Sequence, residues 1–287
     1  MSTIFLYNKN HTKEECTVTK RIGFIGCGQM GQAMIQGMID AGVVKAEDIA
    51  ATALSDETID FVTDEYGIQI ANDNKRLARE SDLLFLAVKP YVYQGIILEI
   101  RDEVPEETVV VTIAAGITLD AMKEAFGRNV KVIRSMPNTP SLVGAGMSVL
   151  CPNDFVTEEE LADVMEVFES FGQAEIVEEK LMDAVPAVSG SSPAFVYMFI
   201  EAMADAAVQQ GFPRDKAYKM VAQAVEGSAK MVRETGRHPG ELKDAVCTPG
   251  GVTIAGVNKL EEVGLRSAII QGMNACTDKS KELSGKK

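Results

Sequence analysis

RIGFIGCGQMGQAM, residues 21–34, places three glycines directly after a short apolar run. The apolar run predicts a buried strand, and the residues that follow the last glycine predict a helix. In such a GxGxxG pattern, Gly26 permits a tight turn, Gly28 lets the backbone approach a phosphate, and Gly31 lets helix and strand pack closely. Free N–H groups at the helix start then face an anion. The stretch predicts a nucleotide site, with a glycine-rich turn that binds no ligand as the alternative.

The first half of the chain alternates apolar strands with helical segments. Further strands are predicted in DIAATAL (48–54), IQIA (68–71), DLLFLAVKP (82–90), TVVVTIAAG (108–116) and VKVIRSMP (130–137). Continuous apolar strands separated by helices indicate a parallel sheet that is covered on both faces. We therefore expect an α/β fold with an N-terminal Rossmann-type doubly wound sheet, whose strand ends line one crevice.

After about residue 180 the pattern is helical, with Pro193 suited to a first turn and Gly211 to a helix end. Ala, Met and Val lie on more than one face of these helices, which predicts an all-α C-terminal dimerisation domain. A self-contained helical domain is the alternative. The predicted segments are an N-terminal arm at 1–19, a dinucleotide-binding Rossmann domain at 20–179, and a helical dimerisation and substrate domain at 180–287.

The composition is that of an ordinary globular protein, with 46% hydrophobic and 24% charged residues among 287. The net charge of −14 argues against a nucleic-acid partner, because phosphate binding needs a basic face. No apolar run reaches the length of a membrane span, so we expect no membrane association. The five cysteines form no CxxC pair and only two histidines occur, so we expect no metal site, free thiols and a cytoplasmic location.

The end of the predicted second strand bears on cofactor choice. Residues 51–55, ATALS, lack the Asp or Glu that binds the free 2′-hydroxyl of NAD(H). That absence removes a repulsion against a 2′-phosphate, and Thr52 or Ser55 can donate a hydroxyl hydrogen bond. No Arg or Lys occurs between Lys45 and Lys75, so this stretch offers no strong clamp for a phosphate. We expect NADPH as the cofactor, with NADH as the alternative.

ELKDAVCTPGGVTIAG, residues 241–256, carries a second candidate site. Its CTPGG segment separates two predicted helices, and Gly250, Gly251 and Val252 lead into the second of them. Free N–H groups at such a start bind a carboxylate well, and Thr253 adds a hydroxyl in the first turn. A helix N-cap is the alternative role for Thr253.

Seven motifs, in this order along the chain, resemble the pyrroline-5-carboxylate reductase family. They are GFIGCGQMGQAM, NDN (72–74), LAVKP, AAGIT, RSMPNTP, SGSSPAF and VCTPGGVTIAGVNKLE. The resemblance runs from about residue 20 to the C-terminus. It implies NAD(P)H-dependent reduction of 1-pyrroline-5-carboxylate to L-proline, the last step of proline synthesis. It also implies a homodimer or a decamer built from dimers, with the active site between the Rossmann domain of one subunit and the helical domain of its partner.

The resemblance also implies site residues, carried over position by position. Gln29 and Met30 would contact the cofactor pyrophosphate, and Asn74 would lie by the adenosine ribose. Val252 and Thr253 would face the substrate, with Thr253 hydrogen-bonded to the ring nitrogen as the catalytic residue. The residues implied beside the nicotinamide half are Ala87, Val88, Lys89, Pro90, Ile113 and Ala115.

Two rival functions stay open on the residues alone. A β-hydroxyacid-dehydrogenase-like enzyme or imine reductase usually needs a catalytic lysine on a helix, for which Lys230 is the best candidate and is more typical of an ordinary helix residue. The other rival is a regulatory protein that binds the cofactor without turnover, and the intact PGGVT segment argues against it.

Overall fold

The computed structural model describes residues 16–284, and the chain divides between Glu179 and Lys180 into two compact units. Residues 1–15, which make up most of the predicted N-terminal arm, lie outside the described residues. The remainder of that stretch is held in place. Val18 is buried, and its N–H donates a hydrogen bond to the carbonyl oxygen of Val43 at 3.1 Å.

The described part of the first unit forms an eight-stranded sheet in the order β3-β2-β1-β4-β5-β6-β7-β8. Neighbouring strands are parallel except β6 and β7, which are antiparallel. The order reverses beside β1, which pairs with β2 on one side and β4 on the other, and this is the point at which doubly wound sheets bind ligands. The predicted doubly wound fold is confirmed. The strands are β1 (Ile22–Ile25), β2 (Ile49–Thr52), β3 (Gln69–Ile70), β4 (Leu83–Leu86), β5 (Val109–Thr112), β6 (Lys131–Met136), β7 (Gly146–Pro152) and β8 (Gly172–Ile176).

Helices cover the two faces of this sheet, and local signals in the sequence set their ends. The helix after β2 begins where Ser55 Oγ accepts the N–H of Thr58, and it ends at Gly67, whose φ of 68° favours glycine. A capping box between Thr157 and Glu160 starts the last helix of the unit. The helices are α1 (Gln29–Asp40), α2 (Asp56–Tyr66), α3 (Asn74–Glu80), α4 (Tyr93–Ile100), α5 (Leu119–Phe126) and α6 (Glu158–Glu169).

The strands differ from the sequence interpretation in extent and in number. The predicted strands run on into AVKP and IAAG, but β4 ends at Leu86 and β5 at Thr112. Pro90 starts a short 3₁₀ turn, and Gly116 has a φ of 81°, so neither segment continues a ladder. The sequence interpretation also lacks β7 and β8. The latter is a largely exposed edge strand without a continuous apolar run.

Close packing of α1 against Phe171, which lies between α6 and β8, depends on a glycine outside the GxGxxG pattern. A Cβ added to Gly37 would lie 2.4 Å from the Cβ of the fully buried Phe171. At Gly31, which the pattern assigned to close packing, a Cβ would meet the nearest atom at 3.5 Å, an ordinary contact. A side chain at Gly31 therefore meets ordinary contacts with the glycine turn and β1, and the closer approach of α1 is to Phe171 at Gly37.

We expect Gly37→Ala to destabilise the first unit by about 1–3 kcal/mol, because the added methyl forces a buried ring and its backbone to move. Gly95, which is also inside a helix, is the matched control because its added Cβ would meet only open space among the described residues. Gly95→Ala is expected to gain about 0.5–1 kcal/mol from reduced backbone entropy. Denaturant midpoints of the two variants measure the difference, and equal midpoints would contradict the packing role.

The second unit is helical, and residues 180–284 contain no strand. A π-helical turn at Pro186–Gly190 precedes the first long helix. Pro193 lies in the first turn of that helix, and Gly211 follows its end with a φ of 98°. The predicted helical C-terminal part is confirmed. The helices are α7 (Ser192–Gln209), α8 (Arg214–Thr235), α9 (Pro239–Val246), α10 (Val252–Glu262) and α11 (Leu265–Leu283).

The second unit leaves much of its apolar surface exposed. In α7 and α8 the buried hydrophobic residues are small, namely Ala204, Ala217 and Val221. Large side chains are open instead, including Met198 at 68% and Ile270 at 58% exposure. Many exposed large apolar side chains on one unit favour an interaction face. Among the described helices, none is long and apolar enough to cross a membrane.

Candidate active site

The backbone conformation and the close neighbours of the first glycine in the GxGxxG turn require glycine at that position. Gly26 has a φ of 87°, which favours glycine, and its N–H donates to the carbonyl oxygen of Thr52 at 3.0 Å. A Cβ at this position would lie 2.7 Å from Cγ1 of Val88 and 2.8 Å from the carbonyl oxygen of Ala87. The turn therefore brings the ends of β1, β2 and β4 together and admits no side chain at Gly26.

The second glycine leaves an open cradle. Gly28 is the N-cap of α1, and apart from its chain neighbours no heavy atom of the described residues lies within 4 Å of an added Cβ. Within residues 16–284, no side chain caps this helix start, and the first turn carries no acid. Unpaired N–H groups and the positive end of the helix dipole therefore face the cradle. This arrangement fits a dinucleotide pyrophosphate, which Gln29 and Met30 would flank.

The residue inside the turn is structural. Cys27 is buried, and burial raises the pKa of its thiol to about 11, so it stays protonated at neutral pH. Gln32 Nε2 donates to the carbonyl oxygen of Cys27 at 3.0 Å and so holds the turn from within α1. These features make Cys27 a buried spacer in the turn.

Three polar side chains meet at the end of β2. Thr52 Oγ1 donates to Asn74 Oδ1 at 2.7 Å, and Asn74 Nδ2 donates to Glu99 Oε2 at 3.0 Å. Asn74 is the first residue of α3, and Glu99 belongs to α4. The structure thus joins Thr52 to Asn74, both predicted site residues. Sequence reasoning missed Glu99, which no local motif distinguishes.

The predicted nicotinamide wall consists of two segments that follow adjacent strands. Residues 87–90 leave β4 and residues 113–115 leave β5, so both begin at the carboxyl edge of the sheet. Lys89 and Pro90 are exposed, whereas Ala87, Val88 and Ile113 are partly buried and Ala115 is exposed. The N–H of Ala87 donates to the carbonyl oxygen of Ile25 at 2.9 Å, which ties this wall to the glycine turn.

The second candidate site lies at the start of α10 in the second unit. Gly250 has a φ of 68°, and Gly251 is the N-cap, with its N–H donated to the carbonyl oxygen of Thr248 at 3.0 Å. A Cβ on Gly251 would lie 2.3 Å from Thr248 Oγ1 and 3.1 Å from the Thr248 carbonyl oxygen, so a side chain here would displace Thr248. Val252 is 90% exposed and begins the helix.

Thr253 is not the cap of this helix. It is the second residue of α10, and the cap is Gly251, which has no side chain to offer. The N-cap alternative for Thr253 is therefore wrong. Thr253 is partly buried, and its hydroxyl makes no hydrogen bond to the described residues. The first turn of α10 thus presents unpaired N–H groups and one available hydroxyl.

A separate cavity in the first unit contains none of the predicted site residues. It has a volume of about 640 Å³ and is bounded by side chains from the starts of α5 and β6 and the ends of β7 and β8, including Leu119, Val132 and Ile176. It lies away from the glycine turn, so we do not place the cofactor there.

Lys230, the candidate for a catalytic lysine, is exposed within α8.

A doubly wound sheet with an open glycine cradle defines a dinucleotide-binding protein, and the uncapped helix start of the second unit adds a place for an anion. The family described as "NADP oxidoreductase coenzyme F420-dependent" matches residues 21–116, and the family described as "Pyrroline-5-carboxylate reductase dimerisation" matches residues 179–283. The chain belongs to the pyrroline-5-carboxylate reductase family, as its similarity to known members shows.

Sequence relatives match over nearly their full length. The pyrroline-5-carboxylate reductase of Escherichia coli K12 is 51% identical, over 92% of this chain and 98% of the relative. That of Methanosarcina acetivorans is 43% identical, over 93% and 99%.

Solved structures agree with these relatives. A pyrroline-5-carboxylate reductase from Coxiella burnetii superposes with a TM-score of 0.88 at 32% identity, covering 93% of this chain and 99% of the other. The enzyme from Plasmodium falciparum, solved with NADP bound, gives 0.84 at 31% identity, covering 93% and 98%.

Proposed function

We propose that this chain reduces 1-pyrroline-5-carboxylate to L-proline with NADPH as the hydride donor. The observation that carries the proposal is the open cradle at Gly28, where α1 begins without a capping side chain. A dinucleotide pyrophosphate supplies the acceptors that these N–H groups lack. The relatives named above are called pyrroline-5-carboxylate reductases, which supports this substrate and product.

The first unit would bind the cofactor along the carboxyl edge of its sheet. Residues 20–179 form the dinucleotide-binding domain in this proposal, and 180–287 form the dimerisation and substrate domain. The glycine turn would hold the pyrophosphate, and Thr52 and Asn74 would lie beside the adenosine ribose. The proposed cofactor contacts are Gly26, Gly28, Gln29, Met30, Gly31, Thr52, Asn74, Ala87, Val88, Lys89, Pro90, Ile113 and Ala115.

The start of α10 would bind the substrate. The N–H groups that follow Gly250 and Gly251 hold the substrate carboxylate, because a helix start favours an anion. The Thr253 hydroxyl hydrogen-bonds the ring nitrogen and holds the imine in a fixed orientation. The bound cofactor supplies the hydride that reduces the imine carbon. The imine is basic and arrives protonated in this mechanism, so the chain needs no strong general acid.

NADPH is the preferred cofactor in this proposal. No Asp or Glu occupies residues 51–55, where the acid that binds a free 2′-hydroxyl follows the strand. The Glu99 carboxylate comes to the end of β2 from α4 and accepts a hydrogen bond from Asn74, and Thr52 donates its hydroxyl to the same Asn74. The proposed preference rests on the missing acid directly after the strand, because a carboxylate at that position would bind a 2′-hydroxyl and repel a 2′-phosphate. Loss of absorbance from NADPH or NADH, in the presence of the imine substrate, tests both activity and preference. Binding of NADPH without turnover would favour the regulatory rival.

The second unit would assemble with copies of itself. Its exposed apolar helices and the matched dimerisation family support a homodimer, and we propose that dimers assemble further into decamers. The free cysteines suit a reducing compartment, and we place the protein in the cytoplasm.

Light scattering is expected to give a solution mass of at least twice the 30.9 kDa of one chain. Apolar surface of this extent on one unit is stabilised when a second copy covers it, and the monomer would expose it to water. Dilution should leave the mass at or above the dimer value in the range where the enzyme is active. A fully active monomer would contradict the proposed assembly.

A further inference from the structure

Buried hydroxyl groups connect the carboxyl ends of β4 and β5 in the first unit. The phenol of Tyr93, which is 2% exposed, donates a hydrogen bond to the carbonyl oxygen of Leu86, the last residue of β4. The same phenol oxygen accepts a hydrogen bond from Oγ1 of Thr112, the last residue of β5, at 2.9 Å. Thr112 Oγ1 accepts the N–H of Ala114 at 3.4 Å. Each hydroxyl therefore both donates and accepts. The hydrogen bonds run in one direction, from the Ala114 N–H through the Thr112 and Tyr93 hydroxyls to the Leu86 carbonyl oxygen.

These bonds fix the backbone at the points where both segments of the nicotinamide wall begin. The peptide that joins Leu86 to Ala87 is held on both sides, because its carbonyl accepts from Tyr93 and its N–H donates to Ile25. The peptide that leads out of β5 is held through the bond from Ala114 to Thr112.

Strand β6 also contributes a hydrogen bond to this network. The direction of the hydrogen bonds does not change with pH in the physiological range. Ser135 Oγ, from β6, donates to the carbonyl oxygen of Thr112 at 2.9 Å. Burial raises the pKa of Tyr93 to about 12, so its phenol stays protonated and remains a donor. An unpaired hydroxyl at this depth would be costly, which favours a single arrangement of the network.

We propose that Tyr93 and Thr112 are positioning residues, which set the nicotinamide wall at the distance and angle that hydride transfer requires. The inference rests on the proposed function, because that function places residues 87–90 and 113–115 beside the nicotinamide. Neither hydroxyl touches the cofactor in this proposal. They act through the backbone that follows Leu86 and Thr112.

The chain offers a matched control at the other end of β5. Thr108, directly before the strand, is 1% exposed, and its Oγ1 donates to the carbonyl oxygen of Ser81 at 2.8 Å. Thr108→Val and Thr112→Val each remove one buried hydroxyl with little change in volume. They differ in which edge of the sheet loses the bond.

We expect Thr112→Val and Tyr93→Phe to lower kcat about tenfold, since small displacements of a reacting group reduce rates strongly. The Kd for NADPH should change by less than about threefold, because the pyrophosphate and ribose contacts are intact. The fluorescence enhancement of bound NADPH should fall, and the isotope effect with NADPH deuterated at the transferred position should rise. Thr112→Ser should restore kcat. Thr108→Val should lower Tm without changing kcat or the fluorescence.

Equal effects of Thr112→Val and Thr108→Val on kcat and fluorescence would overturn the positioning role, as would failure of Thr112→Ser to restore either. Tyr93→Phe removes a single oxygen atom and replaces Thr112→Val in the comparison if that variant does not fold. Turnover by the wild-type chain separates the two claims. No turnover by wild type overturns the proposed function, and the fluorescence of bound NADPH still decides whether the hydroxyls position the nicotinamide.

Discussion

Gly28→Val is expected to raise the Kd for NADPH by at least about 100-fold while the first unit stays folded. The isopropyl group would occupy the open cradle at the start of α1, where the pyrophosphate needs the backbone N–H groups. A hydrogen bond to a charged group contributes about 1.5–3 kcal/mol, so losing two of them accounts for this factor. Fluorescence titration with NADPH measures the Kd, and thermal unfolding measures the fold.

The backbone of Gly28 allows the substitution without strain. Its φ of −75° and ψ of −176° lie in the extended region open to any residue, and its added Cβ meets no described residue beyond the chain neighbours. The loss of a good N-cap residue costs about 1 kcal/mol at most. Gly28→Ala should weaken binding less than Gly28→Val, since a methyl group fills only part of the cradle.

Two other glycines separate the loss of the site from the loss of the fold. Gly95→Val adds the same side chain in open space of the same unit and should leave NADPH binding unchanged. Gly26→Ala should instead destabilise the unit, because φ is 87° and the added Cβ clashes with the Ala87 carbonyl. Unchanged NADPH affinity in Gly28→Val would remove the pyrophosphate from this turn.

The fold could be predicted where the sequence signal is local. The glycine turn and the fully buried strands β1, β4 and β5 have continuous apolar runs, which few alternatives to a covered parallel sheet explain. The edge strand β8 has no such signal, since its residues are mostly exposed and its place depends on pairing with β7. Its assignment requires the tertiary structure.

In the candidate site, too, residues within local motifs could be predicted, whereas partners that the fold brings together could not. Gly28, Asn74 and Thr253 could be predicted because each lies within a short sequence motif. Glu99, the hydrogen-bond partner of Asn74, could not be predicted from a motif because it lies 25 residues away on a different helix. The bond between Thr112 and Tyr93 also exists only because α4 packs over the ends of β4 and β5. Neighbours of this kind are set by the fold and have no spacing rule in the sequence.

Thr253→Val is expected to lower kcat/KM for the imine substrate by roughly 10- to 150-fold. A hydrogen bond to a group that carries charge contributes about 1.5–3 kcal/mol, and about 1.4 kcal/mol corresponds to a tenfold change. The substitution keeps the volume and removes the hydroxyl. Thr253→Ser retains the hydroxyl and should lose far less activity.

The position of Thr253 makes this comparison sharper than the sequence alone allowed. Because Gly251 is the N-cap of α10, Thr253→Val removes no capping bond, and Tm should stay close to that of the wild type. The NADPH Kd should also be unchanged, since the substitution is outside the proposed cofactor contacts. A loss of kcat/KM with unchanged Tm and Kd then assigns the hydroxyl to the substrate. If Thr253→Val and Thr253→Ser were both fully active, the hydroxyl would have no part in the reaction, and substrate orientation would depend on the backbone N–H groups at the start of α10.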